Sequence, residues 1–181
     1  MTSGHSRAVF LDRDGVIDRA IVKDGKPYPP ASLSELELLP GVPAALEALK
    51  DAGFLLIVVS NQPDVARGAQ KREIVEAMNA RLLATLPLDD ILVCYHDDAD
   101  GCDCRKPKPG LLLRAAEAHK VDLSQSFMIG DRCRDVAAGR RAGCRTVLID
   151  YGYSEGDQNI TPDSTAESLS DAAAWVLSFA R

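Results

Sequence analysis

Ala8-Val9-Phe10-Leu11-Asp12-Arg13-Asp14-Gly15-Val16-Ile17 is the stretch that decides the fold. A short apolar run that stops at acidic residues and a glycine has the profile of a buried strand opening into a functional loop. The pattern recurs along the chain. Residues 54–59 are apolar and β-branched and run into Ser60-Asn61-Gln62, and Phe127-Met128-Ile129 runs into Gly130-Asp131. Residues 91–93 and 146–149 supply two further strands. Between these runs the apolar residues take helical spacing. Val42, Ala45, Leu46 and Leu49 follow Pro40-Gly41 and stop before Gly53, and Ile74, Val75, Met78, Leu82 and Leu83 form a second stripe. Residues 111–119, 136–142 and 169–179 read as three more helices, Gly143 closing the middle one. Alternating strands and helices predict an α/β fold with a mainly parallel sheet. In such a sheet the carboxyl ends of the strands face one crevice, so Asp12, Asp14, Ser60, Asn61 and Asp131 are expected at one site.

The chain has 181 residues, 46% of them hydrophobic, which is enough for one well-buried core and a single domain over residues 1–181. A net charge of −6 and a pI near 5.1 give no general attraction for polyanions, so nucleic acid is not an expected partner. No apolar run approaches the roughly 18 residues of a membrane span, and residues 1–7 are a short, flexible polar tail; a cytoplasmic protein with no membrane partner is expected. The segments 18–34, 63–70 and 94–110 are loops, the first and last long enough to suggest function. Residues 151–165 are loop-like too.

Two carboxylates two residues apart at a strand end are costly to bury unpaired, and a cation is their natural compensation. With Asp131 as a further hard oxygen donor the pattern suits magnesium completed by waters and a phosphate. A carboxylate beside a metal-bound phosphate can attack phosphorus in line.

The cysteines tell a second story. Cys94, Cys102, Cys104, Cys133 and Cys144 are odd in number and unevenly spread, which is no disulfide framework. Cys94-Tyr95-His96 and Cys102-Asp103-Cys104 offer three thiolates and one imidazole, a full set for closed tetrahedral zinc of structural type. Such a metal would also set where Arg105 and Lys106 point. Cys133 and Cys144 read as packing residues, His5 and His119 as solvent-exposed, Arg140, Arg141 and Arg145 as a solvated helix end, and Trp175 as part of an apolar stripe.

Phe10–Ile17, Ser60-Asn61-Gln62, Arg105-Lys106-Pro107 and Gly130-Asp131-Arg132 together resemble the four motifs of haloacid dehalogenase-type phosphatases, over about residues 8–150. The zinc-loop form is similar to the heptose-bisphosphate phosphatase and histidinol-phosphatase branch. The resemblance implies a single Rossmann-like three-layer α/β/α domain without a large cap domain. It implies Asp12 as nucleophile and Asp14 as general acid and base, with Asp12, the carbonyl of Asp14 and Asp131 holding magnesium. Ser60, with the backbone around Asn61, would bind the transferring phosphoryl, and Lys106 would neutralise it. Asn61, Gln62, Arg105 and Arg132 are then the substrate-binding candidates. A small phosphorylated sugar is the implied substrate, most simply heptose 1,7-bisphosphate, and a monomer is expected.

Two departures bear on substrate. Where this branch often has Gln-Ser-Gly-Ile-Ala-Arg-Gly, the chain has Gln62-Pro63-Asp64-Val65-Ala66-Arg67-Gly68, a stiffer loop without the small hydroxyl, and its first loop is longer. Histidinol phosphate is the rival substrate, separable by comparing catalytic efficiencies. A non-catalytic zinc-stabilised binding protein is the rival class, in which Asp12→Asn would leave affinity intact. A nucleic-acid end-processing phosphatase fits poorly with the negative charge.

Overall fold

The computed structural model describes residues 5–153 and 160–180. Among these, strands β1 (Arg7–Leu11), β4 (Phe54–Asn61), β5 (Asp90–Cys94), β6 (Phe127–Gly130), β7 (Arg145–Ile149) and β8 (Ser164–Ala166) form one sheet in the order β5-β4-β1-β6-β7-β8, every pairing parallel. Helices α1 (Val42–Asp51), α2 (Arg72–Thr85), α3 (Gly110–His119), α4 (Cys133–Ala142) and α5 (Leu169–Leu177) supply the crossovers and flanks. This is the α/β architecture expected from the alternating pattern.

Strand β1 shows why the sheet is covered on both faces. Its side chains alternate: Val9 and Leu11 join a cluster with α1 and α5, while Ala8 and Phe10 join a second with Leu111, Leu112 and Ala115 of α3 and Ala138 of α4. A strand buried on both faces has no polar position, so its sequence is a continuous apolar run. Each helix in turn puts one stripe into its cluster, as Val42, Ala45, Leu46 and Leu49 do for α1.

Three features differ from the sequence reading. The segment 18–34 contains an antiparallel hairpin, β2 (Ile21–Lys23) and β3 (Lys26–Tyr28), turned at Asp24 and Gly25, both at positive φ. Asp-Gly is a hairpin-turn signal, but strands this short, exposed and interrupted by Pro27 carry no clear period. The edge strand β8 also escaped, since Ser164-Thr165-Ala166 offers no apolar alternation. The expected tail is shorter than residues 1–7: Ser6 bridges to Val121 and Arg7 opens β1, while residues 1–4 lie outside the described set. The loop expected at 151–165 lies outside it over 154–159. No helix among the described residues is long and apolar enough to cross a membrane.

Candidate active site

The carboxyl ends of β1, β4 and β6 meet as the topology requires. The Asp12 N–H donates to the carbonyl of Ile129 on β6 at 2.9 Å, which ties the first acidic residue to the strand bearing Asp131. The chain then turns back tightly, with the Ile17 N–H donating to the Arg13 carbonyl at 2.8 Å and Gly15 at φ +87°. A side chain at Gly15 would meet the Asp131 carboxylate, so only glycine lets these two loops close.

Lys106 enters from the Cys/His loop. Its side chain is 1% exposed, and Nζ lies 2.9 Å from Asp12 Oδ1 and 2.7 Å from Asp135 Oδ1. Among the described residues neither Nζ nor Asp135 Oδ1 has a partner in hydrogen-bond geometry, so the attraction is one of charge more than of direction. Burial alone would lower the pKa of this ammonium, but Asp12 and Asp135 outweigh burial and raise it, keeping the lysine charged. Asn61 clamps the lysine backbone at two points: its Nδ2 donates to the Lys106 carbonyl and its Oδ1 accepts from the Lys106 N–H, both at 3.0 Å. Arg141 Nη1 adds a bond to the Pro107 carbonyl at 2.7 Å, so this arginine is an anchor of the loop and not merely a solvated helix end.

Carboxylate oxygens of Asp12, Asp131 and Asp135 lie within 4.8 Å of one another. Both Asp131 oxygens are buried without a hydrogen-bond partner among the described residues. Burial, then Asp12 and Asp135, push the Asp131 carboxyl well above its ordinary range, and burial pushes Asp135 up to about 6 despite Lys106. Three carboxylates against one ammonium leave two negative charges in a confined space. A divalent cation of hard character would balance them and satisfy the orphaned oxygens, so the donor set fits magnesium.

The Asp14 carboxylate is turned elsewhere. Its Oδ1 accepts from Arg13 Nη2 at 2.8 Å and Nε at 3.2 Å, and its Oδ2 from Gln62 Nε2 at 2.7 Å. Arg13 is fully buried and reaches Asn79 of α2 through Nη1 at 3.0 Å, with Asp18 3.9 Å from its Nε. Burial, reinforced by Asp14, pushes the Asp18 carboxyl well above the usual range. Gln62 also donates to the Ser60 hydroxyl at 2.9 Å; both residues are buried beneath the cavity, not in its lining. Asn61, Arg105 and Arg132 do line it, together with Asp12, Asp14 and Asp131, around a volume of about 550 Å³.

The structure brings Cys94, His96, Cys102 and Cys104 together. Cys94 Sγ is 3.7 Å from Cys102 Sγ and 3.2 Å from Cys104 Sγ, and His96 Nδ1 is 3.3 Å from Cys104 Sγ. Edges of about 3.5–3.8 Å are what a tetrahedral zinc with these ligands spans, so the donor set fits that ion. All five cysteines are free of disulfides.

Sequence reasoning missed Arg13, Asp18, Asn79 and Asp135. Asp135 had a signal, a second acid one helical turn after Asp131; Asn79 had none, because only packing of α2 brings it to Arg13. His119, expected to be solvent-exposed, is half-buried with Nε2 2.8 Å from Asp90 Oδ2, whereas His5 is exposed. Cys144 is buried in the second cluster, and Trp175 packs edge-on against Phe127.

A parallel sheet with an acidic pair after its central strand, a lysine from a Cys/His loop and a further acid after the next strand define a hydrolase of the haloacid dehalogenase type. Residues 103–172 match the family model described as HAD-hydrolase-like. A D-glycero-D-manno-heptose-1,7-bisphosphate 7-phosphatase of Thermosynechococcus vestitus is 35% identical, over 93% of this chain and 94% of its own length. A D-glycero-beta-D-manno-heptose-1,7-bisphosphate 7-phosphatase of Escherichia coli K12 is 37% identical, over 94% and 87%. The D,D-heptose 1,7-bisphosphate phosphatase of B. bronchiseptica, crystallised with magnesium and phosphate, superposes with a TM-score of 0.80 at 31% identity, covering 95% of this chain and 98% of that one. The chain belongs to this family of phosphatases.

Proposed function

We propose that this protein removes the 7-phosphate of D-glycero-D-manno-heptose 1,7-bisphosphate through a phosphorylated Asp12. The observation that carries the reading is the buried lysine set between Asp12 and Asp135, beside the orphaned carboxylate of Asp131. With a divalent cation among the three carboxylates, that arrangement would offset the charge of a phosphoryl group beside a potential nucleophile, and relatives named for this substrate match along most of the chain.

Asp12 attacks phosphorus in line, and its new O–P bond forms as the bond to the sugar oxygen breaks. Asp14 gives that oxygen a proton. The Asp14 carboxylate then takes a proton from water, whose oxygen attacks phosphorus; inorganic phosphate leaves and Asp12 is restored. Arg13 and Gln62 hold Asp14 for these transfers, while Lys106 offsets the charge on the transferring oxygens. Ser60, through Gln62, belongs to the floor that keeps this geometry, and Asn61 fixes the lysine backbone. Asp12, Asp131, Asp135 and the carbonyl of Asp14 would hold magnesium, which when bound supplies Lewis-acid neutralisation of the phosphoryl group. Cys94, His96, Cys102 and Cys104 would hold a structural zinc that fixes the loop carrying Arg105 and Lys106. Arg105 and Arg132 would face the rest of the substrate. We read the protein as a cytoplasmic monomer that binds neither nucleic acid nor membrane; cysteines without disulfides support the compartment, and a net charge of −6 speaks against a polyanion partner.

Phosphate release from heptose bisphosphate with magnesium, set beside histidinol phosphate, tests the reading. Turnover of the sugar with loss of activity in Asp12→Asn is expected. A preference for histidinol phosphate would overturn the substrate, and full activity of the variant would overturn the chemistry.

A further inference from the structure

At the mouth of the cavity two arginines already hold a carboxylate of the protein itself. Arg105 Nε donates to Asp98 Oδ1 at 2.7 Å and Arg105 Nη2 approaches Asp98 Oδ2 at 3.5 Å. Arg67, from the turn after β4, puts Nη2 3.7 Å from the same Oδ2, while its fork engages the neighbouring Asp97. The burial is lopsided: the Arg105 side chain is 10% exposed and its Nη1 has no hydrogen-bond partner among the described residues, whereas the Asp98 side chain is 78% exposed. The arginine is thus fixed and incompletely satisfied, and the aspartate is a tenant that can rotate into water. Asp98 stands on a short 3-10 turn, Asp98–Asp100, inside the loop bounded by the Cys/His cluster, and Arg67, Asp98 and Arg105 all line the cavity that holds Asp12 and Lys106.

We propose that Asp98 is an internal stand-in for the substrate's second phosphate, holding Arg105 and Arg67 in place until the anionic group at the far end of the sugar displaces it, and so tuning preference between bisphosphates and simple monoesters. This rests on the bisphosphate reading above. A fork-shaped guanidinium donates to a carboxylate or a phosphate in the same geometry, so one can replace the other. The exchange costs little, since an ion pair with one partner largely in water is only weakly stabilising.

The test compares KM for heptose 1,7-bisphosphate with KM for 4-nitrophenyl phosphate, which has no second phosphate, in the magnesium- and zinc-loaded protein and in Asp98→Asn and Asp98→Glu. In Asp98→Asn the bisphosphate KM falls relative to the aryl phosphate KM by about threefold to fivefold, the range in which such a pair acts. Asp98→Glu, which keeps the charge, shifts the ratio less. An unchanged ratio, an equal change for both substrates, or a weaker hold on the bisphosphate overturns the proposal. A wild-type protein that hydrolyses the aryl phosphate but not the bisphosphate sinks the substrate reading, and the proposal with it.

Discussion

The Lys106 ammonium lies 2.7 Å from Asp135 Oδ1, a contact between the Cys/His loop and the first turn of α4 from which solvent is all but excluded. A charge pair in such a place is held by its surroundings and not by its own strength. Taking two ions out of water costs several kcal/mol each, and the repayment depends on having both. Lys106→Met should therefore do two things. It should lower kcat by about 10²- to 10³-fold through loss of phosphoryl neutralisation. It should also leave Asp135 buried and unpaired, lowering the melting temperature by on the order of 10 °C. A variant with wild-type turnover would show that the lysine is structural only, which steady-state kinetics and a thermal melt decide together.

Arg13 is fully buried between Asp14, Asp18 and Asn79, and burial alone would lower its pKa, though Asp14 and Asp18 together raise it. Arg13→Met removes the cation these groups share. Urea unfolding should show a loss of about 3–5 kcal/mol. Asn79→Ala, which deletes only the far support, should cost about 1 kcal/mol and reduce kcat more than it raises KM, because it loosens a group that acts in the chemical steps. An effect confined to KM would remove Asn79 from that role.

Gly15→Ala introduces both a side chain at φ +87° and a collision with Asp131. The loops must part, so the expected result is weaker magnesium binding, by on the order of tenfold in a calorimetric titration, with the thermal melt altered less than in the Lys106 variant. Tight magnesium binding in Gly15→Ala would show that Asp131 is not the limiting ligand.

Removing zinc should act at a distance from the chemistry. Chelation, or Cys104→Ser, is expected to lower thermal stability and phosphatase activity in parallel, because the loop that loses its metal is the one that carries Lys106. Zinc restored to the chelated protein should recover both, whereas magnesium alone should recover neither. Metal analysis of the purified protein should find about one zinc per chain; a metal-free protein with full activity would contradict the assignment.

Much of this is legible in the amino-acid order. Runs such as residues 8–11 and 127–129, short, apolar and ended by glycine and acidic residues, have the profile of strands buried on both faces, and a parallel sheet then has just one edge at which their polar endings can gather. The Cys/His spacing likewise named four donors, since ligand identity is a matter of chemistry close along the chain. Short exposed strands such as β2 and β3 left no such mark, because pairing partners and not periodicity hold them.

The amino-acid order by itself determined the fold class, the strand-end acids Asp12, Asp14 and Asp131, and the Cys/His loop. Only the tertiary structure decided which charges meet. It set Asp135 against Lys106, buried Ser60 and Gln62 beneath the cavity, turned Asp14 toward Arg13, and put Asp98 in the grasp of Arg105 and Arg67. The physical reason is that periodicity and turn chemistry are local. The ionic partner of a buried side chain is chosen instead by whichever helix or loop the packed core delivers to within a few ångströms.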